Sequence, residues 1–277
     1  MLIEVDHVTR YRYDRAVRGV VQSHRLTPAT FDGQRVLDWK VTVTDGLRGG
    51  GFRDGAGDWV QGWTVTGPVN EIAVAVRGLV ETADSAGVLR GHREVVPPMA
   101  YLAETPPTRA DAALRAMAAA AAEAGSALSV AHAMAAAVAE AIVWTADVTV
   151  AQTTAAEALA QGTGVCQDHA HALIAVARAG GVPARYVTGY LLTADGVSGE
   201  AAHAWAELWV DGLGWVGFDA ANACCPDDRY VRLGSGCDAA EAAPIRGTAR
   251  SPGNEAMEVA VRVAQAQGQP SQTQSQQ

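Results

Sequence analysis

The constraint that most limits this chain is a change of hydrophobic period along its length. Residues 1 to about 82 repeat every two residues. In MLIEVDHVTRYRY, Leu2, Glu4 and Asp6 face one way, and Ile3, Val5 and His7 the other. RVLDWKVTVT, WVQGWTVTG and EIAVAVRGLVET keep that habit with β-branched and aromatic residues. Glycine clusters in GLRGGGF and RDGAGD mark turns. This pattern predicts an N-terminal antiparallel β domain over 1–84, with roughly five to seven strands. Residues 85–106 include VVPPMAYLAETPP, whose prolines and weak periodicity predict a connector laid across a surface.

The period then becomes helical. Thr108 to Gly125 opens on a Thr108-x-x-Asp111 spacing and ends at glycine. Leu128 to Trp144 is alanine-rich, with Ser126 or Ser129 as its cap. Thr154-x-x-Glu157 begins a short helix that ends near Gln161. Cys166 to Ala179 forms the next, with Ala170, Leu173, Ile174 and Ala177 as its apolar face and Gly180-Gly181 and Pro183 as its stop. Strand patterns return in ARYVTGYLL, HAWAELWV and WVGFDA, and again in EAMEVAVRVA. The resulting class is α+β, with the core over 107–264. The polar tail 265–277 is expected to be disordered.

Composition excludes some functions. Net charge is −9 and Lys40 is the only lysine, which argues against a general nucleic-acid binder. No apolar run approaches the roughly 20 residues of a membrane helix. No secretory signal is visible in MLIEVDHVTRYRYD, so a cytoplasmic location is expected, with the cysteines as thiols.

Chemistry concentrates in GTGVCQDHAH, residues 162–171. Gly162 and Gly164 let the backbone bend into a helix start. Free N–H groups and the positive end of the helix dipole then adjoin Cys166. Such settings favour the thiolate, the nucleophilic form, and the Cys166 N–H could serve an oxyanion. A lone cysteine is more often a small buried hydrophobe. His203, opening HAWAELWV, and Asp219, in WVGFDA, shift the balance towards a nucleophile with a base and an orienting carboxylate. The pairing sets a geometric condition. Opposed residues share a face of a hairpin, so the sum of their numbers must be even for His203 and Asp219 to meet. A two-residue turn pairing Val210 with Trp215 fails this condition; a three-residue loop or a bulge at DGLG meets it.

GTGVCQDHAHALIAVARAGGVPARYVTGYL, then HAWAELWV, then GWVGFDAAN resembles the bacterial transglutaminase-like superfamily. TRYRYDRAVRGVVQSHRLTP resembles the β domain preceding its core, and DDRYVRLGSGCD with APIRGT its C-terminal stretch. The resemblance implies a papain-like core, with Cys166 as nucleophile, His203 as base and then acid, and Asp219 as the group that orients His203. It implies thiol-dependent chemistry on a peptide or protein amide: peptidase or amidase hydrolysis, or acyl transfer, through a thioester. A catalytically silent interaction module with the same fold is the alternative. Three positions depart from the family pattern. Ala220-Ala221 stand where Pro-Thr is usual between Asp219 and Asn222, His169 stands where an aromatic is common, and Cys237 stands where arginine is usual.

Trp205, next after His203 on the same face, and Gln167 and His169, beside the nucleophile, are candidate substrate-binding residues. His171 is expected to be a helix-packing residue, and Asp168 an early-helix charge favoured by the dipole. Cys224, Cys225 and Cys237 lack zinc-site spacing, and no calcium-loop pattern occurs. No metal or cofactor is expected. Neither a nucleic-acid nor a membrane partner is expected, and the oligomeric state is open.

Overall fold

A computed structural model describes residues 1–193, 202–250 and 254–266. The expected disordered tail falls mostly on 267–277, outside the described residues. Its first residues are ordered: Gln265 ends a strand that begins at Glu255, and the Ala266 N–H donates to the Leu2 carbonyl.

Two long strands form the spine of the first sheet. β1 (Leu2–His24) and β4 (Trp59–Thr82) run antiparallel over most of their lengths. The alternation of β1 buries Ile3, Val5, Tyr11 and Val17 on one face. β2 (Gln34–Val43) pairs with one half of β4, and β3 (Gly46–Arg53) with the other. The outer edge of β1 is taken by strands from the far end of the chain, β11 (Ile245–Ala249) and β12 (Glu255–Gln265). The expected boundaries, 1–84 for the β domain and 107–264 for the core, therefore need correction at the end of the core. The strand pattern of EAMEVAVRVA is right, but it belongs with the first sheet. A long edge with unpaired N–H and C=O groups needs a partner, and alternation does not say which strand supplies it.

The catalytic-core expectation holds in its α+β character. α1 (Ala112–Ala121), α2 (Ala127–Ala141) and α3 (Ala155–Gln161) surround α4 (Cys166–Ala179). The antiparallel sheet β10-β7-β8-β9 covers another side, formed by β7 (Ala184–Leu191), β8 (Ala202–Val210), β9 (Gly214–Phe218) and β10 (Tyr230–Gly236). Two short parallel segments, β5 (Val143–Trp144) and β6 (Thr163–Gly164), tie the end of α2 to the approach of α4.

α4 is buried all round from Asp168 to Arg178, not along one apolar stripe. Leu173 and Ile174 are fully buried among Leu114, Met134, Leu208 and Phe218. Each large side chain of this kind contributes roughly 1.5–3 kcal/mol. The polar residues of α4 must then find partners inside the protein. Arg178 does so at the helix C-terminus, where a cation is favoured. It donates to the carbonyls of Tyr101 (2.8 Å), Ala184 (2.9 Å) and Cys237 (2.9 Å) and to the Thr108 hydroxyl (2.7 Å). That bond explains a local difference. Thr108 sits in a 3-10 turn, and Asp111 caps α1 by accepting the Leu114 N–H at 2.9 Å. The other two caps match expectation: Ser126 on α2, and the Thr154–Glu157 box on α3.

The connector does more than cross a surface. Val88 bridges to Val216, the Leu89 N–H donates to the Trp215 carbonyl and the Gly217 N–H to the Gly87 carbonyl. It thus covers the open edge of β9.

The two sheets share a core, in which Tyr190, Leu192, Val231 and Leu233 pack with Ile3, Val5, Ile72 and Val76. They also share a buried ion network. Arg232 reaches Glu207 (2.8 Å) and Asp58 (2.9 Å), Arg185 reaches Glu207 (2.6 Å) and also Glu94, and Asp58 accepts the Ser235 N–H and hydroxyl. Asp58 comes from the loop before β4, so the network ties the N-terminal sheet to the core. Removing Asp58 leaves Arg232 with Glu207 alone and takes the acceptor from the Ser235 N–H and hydroxyl; breaking a buried pair by removing one partner costs about 3–5 kcal/mol. Asp58→Ala is therefore expected to lower the unfolding free energy by about that amount, read as a lower urea midpoint at unchanged slope; a loss under about 1 kcal/mol would contradict this role.

Candidate active site

Local sequence aims the α4 terminus. α3 ends at Gly162 in the left-handed conformation, at φ 68°. The Gly162 and Gly164 carbonyls accept the N–H groups of Val143 and Thr145. Val165 is the residue before the helix. Its N–H is capped by Asp168 Oδ2 at 2.8 Å, and the Thr149 hydroxyl binds the same oxygen at 2.7 Å. Asp168 is 1% exposed, so its role is a buried clamp on the turn rather than a solvated dipole charge. Cys166, half-buried, is the first helical residue.

The turn between β8 and β9 meets the even-sum condition. Trp209 pairs with Trp215 and Val210 with Gly214, leaving a three-residue loop. Gly212 and Gly214 supply the left-handed angles it needs, at φ 84° and 86°. His203 and Asp219 consequently meet, with Nε2 to Oδ2 at 2.6 Å. The His203 side chain is 8% exposed and that of Asp219 is 1%.

Asp219 is saturated with donors. Oδ2 also accepts Asn222 Nδ2 (2.7 Å) and the Tyr230 hydroxyl (2.8 Å), and Oδ1 accepts the N–H groups of Ala221 (3.1 Å) and Asn222 (3.2 Å). Burial works against its charge, yet His203, Asn222 and Tyr230 hold its carboxyl below the ordinary value. The turn bonds from Ala221 and Asn222 fix the strand exit where the family's usual proline is replaced by Ala220. His203 responds in turn. Burial disfavours its cation, but hydrogen bonding to Asp219 and to Cys166, together with both charges, raises it to about 10. With Nε2 donating to the carboxylate, Nδ1 is the nitrogen left for the sulfur.

The candidate substrate-binding residues fare differently from the dyad. His169 is 2% exposed, and both ring nitrogens face backbone carbonyls, Val165 at 2.9 Å and Ile142 at 2.8 Å; it braces the helix from within. The Gln167 amide donates to the Ala151 carbonyl at 3.2 Å, so it holds a neighbouring loop. Trp205 is 3% exposed. It stacks beside His203 (6.4 Å, 27°) and meets Tyr230 edge-on (5.5 Å), forming a wall behind the imidazole. The corrections to His169 and Trp205 share a cause: α4 from Asp168 on and the middle of β8 are buried, so proximity in sequence to the dyad does not give access to solvent; Gln167, at the half-buried start of α4, is instead turned to its loop.

His171 is a packing residue as expected. Its Nε2 accepts the Ala239 N–H, and burial lowers it to about 4. Cys224 lies 3.4 Å from the Tyr230 hydroxyl, and burial raises the Cys224 and Cys225 thiols. Burial and Glu241 push Cys237 up to about 11. Sequence reasoning missed Tyr230 and did not use Asn222 as a donor. Asn222 carried a local signal, three residues after Asp219; Tyr230, on another strand, carried none.

An α+β fold with a half-buried cysteine at a helix start and a hydrogen-bonded His–Asp pair, His203 on β8 and Asp219 just past β9, has the layout of a papain-like class. Residues 115–220 match the model of the transglutaminase-like superfamily, and residues 3–81 that of the bacterial transglutaminase-like N-terminal region. The chain belongs to the transglutaminase-like superfamily. It is 29% identical to an uncharacterized protein of Mycobacterium leprae, over 94% of this chain and 98% of that one. An uncharacterized protein of Mycobacterium tuberculosis is 40% identical over 109 residues, 36% of this chain and 35% of that one. The crystal structure titled as a "Putative Cysteine Protease" from Cytophaga hutchinsonii has a TM-score of 0.72 at 21% identity, covering 97% of this chain and 92% of that one. At that identity the likeness concerns the fold.

His203 carries its proton more tightly folded than at its ordinary value of 6.5. Its stabilisation is therefore complete below pH 6.5 and is lost as pH rises through about 10. Asp219→Asn should remove that loss from the stability–pH curve. It should also bring the His203 titration, followed by NMR, down by at least about 2 units; an unmoved titration would refute the coupling.

Proposed function

We propose that the protein cleaves an amide bond through an acyl-thioester on Cys166. The geometry that carries this reading is the His203–Asp219 pair at 2.6 Å, with Asp219 saturated by donors, on a sheet packed against the helix that Cys166 begins. Cys166 Sγ attacks the carbonyl carbon as a thiolate. The Cys166 N–H, at the start of α4, lies where it can stabilise the oxyanion. As the tetrahedral intermediate collapses, the C–N bond breaks and His203 gives its proton to the departing amine. His203, now neutral, takes a proton from water as the hydroxide opens the thioester, which releases the acid and restores the thiolate–imidazolium pair. An amine in place of water gives acyl transfer by the same steps.

Two small cavities flank the dyad. One, of about 180 Å³, is lined by His132, Phe218, Asp219 and Cys225; the other, of about 240 Å³, by Leu191, Leu192, Asn222 and Arg229. They suit side chains of a peptide substrate better than a large cofactor.

The test is trapping. Incubation with a peptide library and rapid acid quench should leave an acyl mass on Cys166, absent from Cys166→Ala. That variant should lose about 10³-fold or more in turnover. Iodoacetamide should alkylate Cys166 ahead of Cys224, Cys225 and Cys237. Labelling of Cys166 no faster than those three, with no adduct, would favour the silent interaction module.

A further inference from the structure

A cavity of about 650 Å³ lies on the N-terminal sheet and shares no lining residue with the two cavities beside the dyad. That volume is within the range of ligand sites. Its floor is set by strand register. Residues paired directly across an antiparallel sheet share a face. Arg48 pairs with Trp63, Gly51 with Gln61 and Arg53 with Trp59, while His24 pairs with Gln61 from the other side. In a regular strand Arg48 and Arg53, five residues apart, would face opposite ways. The register shift between Arg48 and Gly51 returns Arg53 to the face of Arg48.

The irregularity is held in place. Gln61 Nε2 donates to the carbonyls of Gly49 (2.8 Å) and Gly50 (3.1 Å), and its Oε1 accepts Arg48 Nε at 3.0 Å. A Cβ at Gly51 would stand 2.5 Å from the Trp59 ring, so glycine there leaves room for the indole.

Two buried side chains of the lining keep polar atoms unused. His24 is 1% exposed and Trp63 8%, and among the described residues His24 Nδ1 and Trp63 Nε1 have no partner. His24 Nε2 pairs with Gln22 Oε1 at 3.0 Å, and burial lowers the ring to about 4, so Nδ1 is an acceptor at neutral pH. Trp63 offers a donor. Lys40, Arg48 and Arg53 add positive charge against the single carboxylate of Asp38, in a chain of net charge −9. The rest of the wall is mostly aliphatic or aromatic, with Leu26, Val36, Val41 and Trp39, and includes Thr27 and Thr30.

We propose that this cavity binds an acidic peptide segment bearing apolar side chains, with its carboxylates on Arg48 and Arg53 and an apolar side chain against Trp59. The cations supply the polar contacts. Leu26, Val36, Leu37 and Val41 give apolar contacts that leucine-like side chains can fill and a uronic acid chain cannot, which favours a peptide over an acidic glycan. The site stands independently of the chemistry at Cys166.

Fluorescence anisotropy with the full chain tests it, using a fluorescein-labelled octapeptide of alternating Glu and Leu. Saturable binding is expected at about 50 mM salt, weakening at several-fold higher salt. Arg53→Glu and Lys40→Glu, exposed positions on two different strands, should each weaken binding about tenfold or more. The Gln–Leu peptide should bind at least tenfold more weakly, and Cys166→Ala should bind like the parent. The proposal is overturned by no binding, by binding indifferent to both substitutions or to the Gln exchange, or by an oligogalacturonate that binds where the peptide does not. Because Cys166→Ala is the control, failure here leaves the thioester reading to its own trapping test.

Discussion

The complete burial of α4 is the constraint from which the rest of the core follows. A helix buried on one side can carry its polar residues outward. One buried all round cannot, so Asp168, His169, His171 and Arg178 each find at least one partner inside the protein, while Asp168 Oδ1 and His171 Nδ1 stay unpaired among the described residues. Their partners define the surroundings. Asp168 closes the turn before Cys166, His169 reaches the end of α2, and Arg178 ties down the connector and the start of β7. Cys166 is aimed because everything behind it is fixed. The side chains that fix it are those that sequence alone offers as catalytic histidines and carboxylates.

Electrostatics on the opposing sheet follows the same logic. A carboxylate at 1% exposure would be costly if alone. Five donors around Asp219 make it tolerable, and the remaining negative potential is directed at one imidazole. Trp205 and Tyr230 then exclude water from that pair, which strengthens the interaction. The chemistry of the site rests on this clamp as much as on the three groups that a sequence motif would select.

The two sheets are held as one body by the return of the chain. β11 and β12 complete the first sheet after the core has been built, and Asp58 enters the core's ion network from the first sheet. Apolar residues of β7 and β10 pack directly on β1 and β4. The N-terminal sheet therefore offers its other features, including a cationic, indole-lined cavity, on a support fixed relative to the dyad.

Much of this was legible along the chain. Period two in the first 82 residues, the caps Ser126 and Thr154, the glycines that stop α4 and the even-sum rule for DGLG are local statements. Each rests on backbone sterics or on hydrogen bonds within a few residues. So the sequence by itself determined the α+β class, the helix that starts at Cys166 and the condition under which His203 and Asp219 meet. Tertiary structure alone decided that this helix is surrounded, that Trp205 and His169 face inward, that Tyr230 reaches Asp219 and that EAMEVAVRVA joins the first sheet. These depend on which surfaces are brought together across long stretches of chain. Burial and long-range strand pairing are properties of the assembled whole, and no short window of residues encodes them.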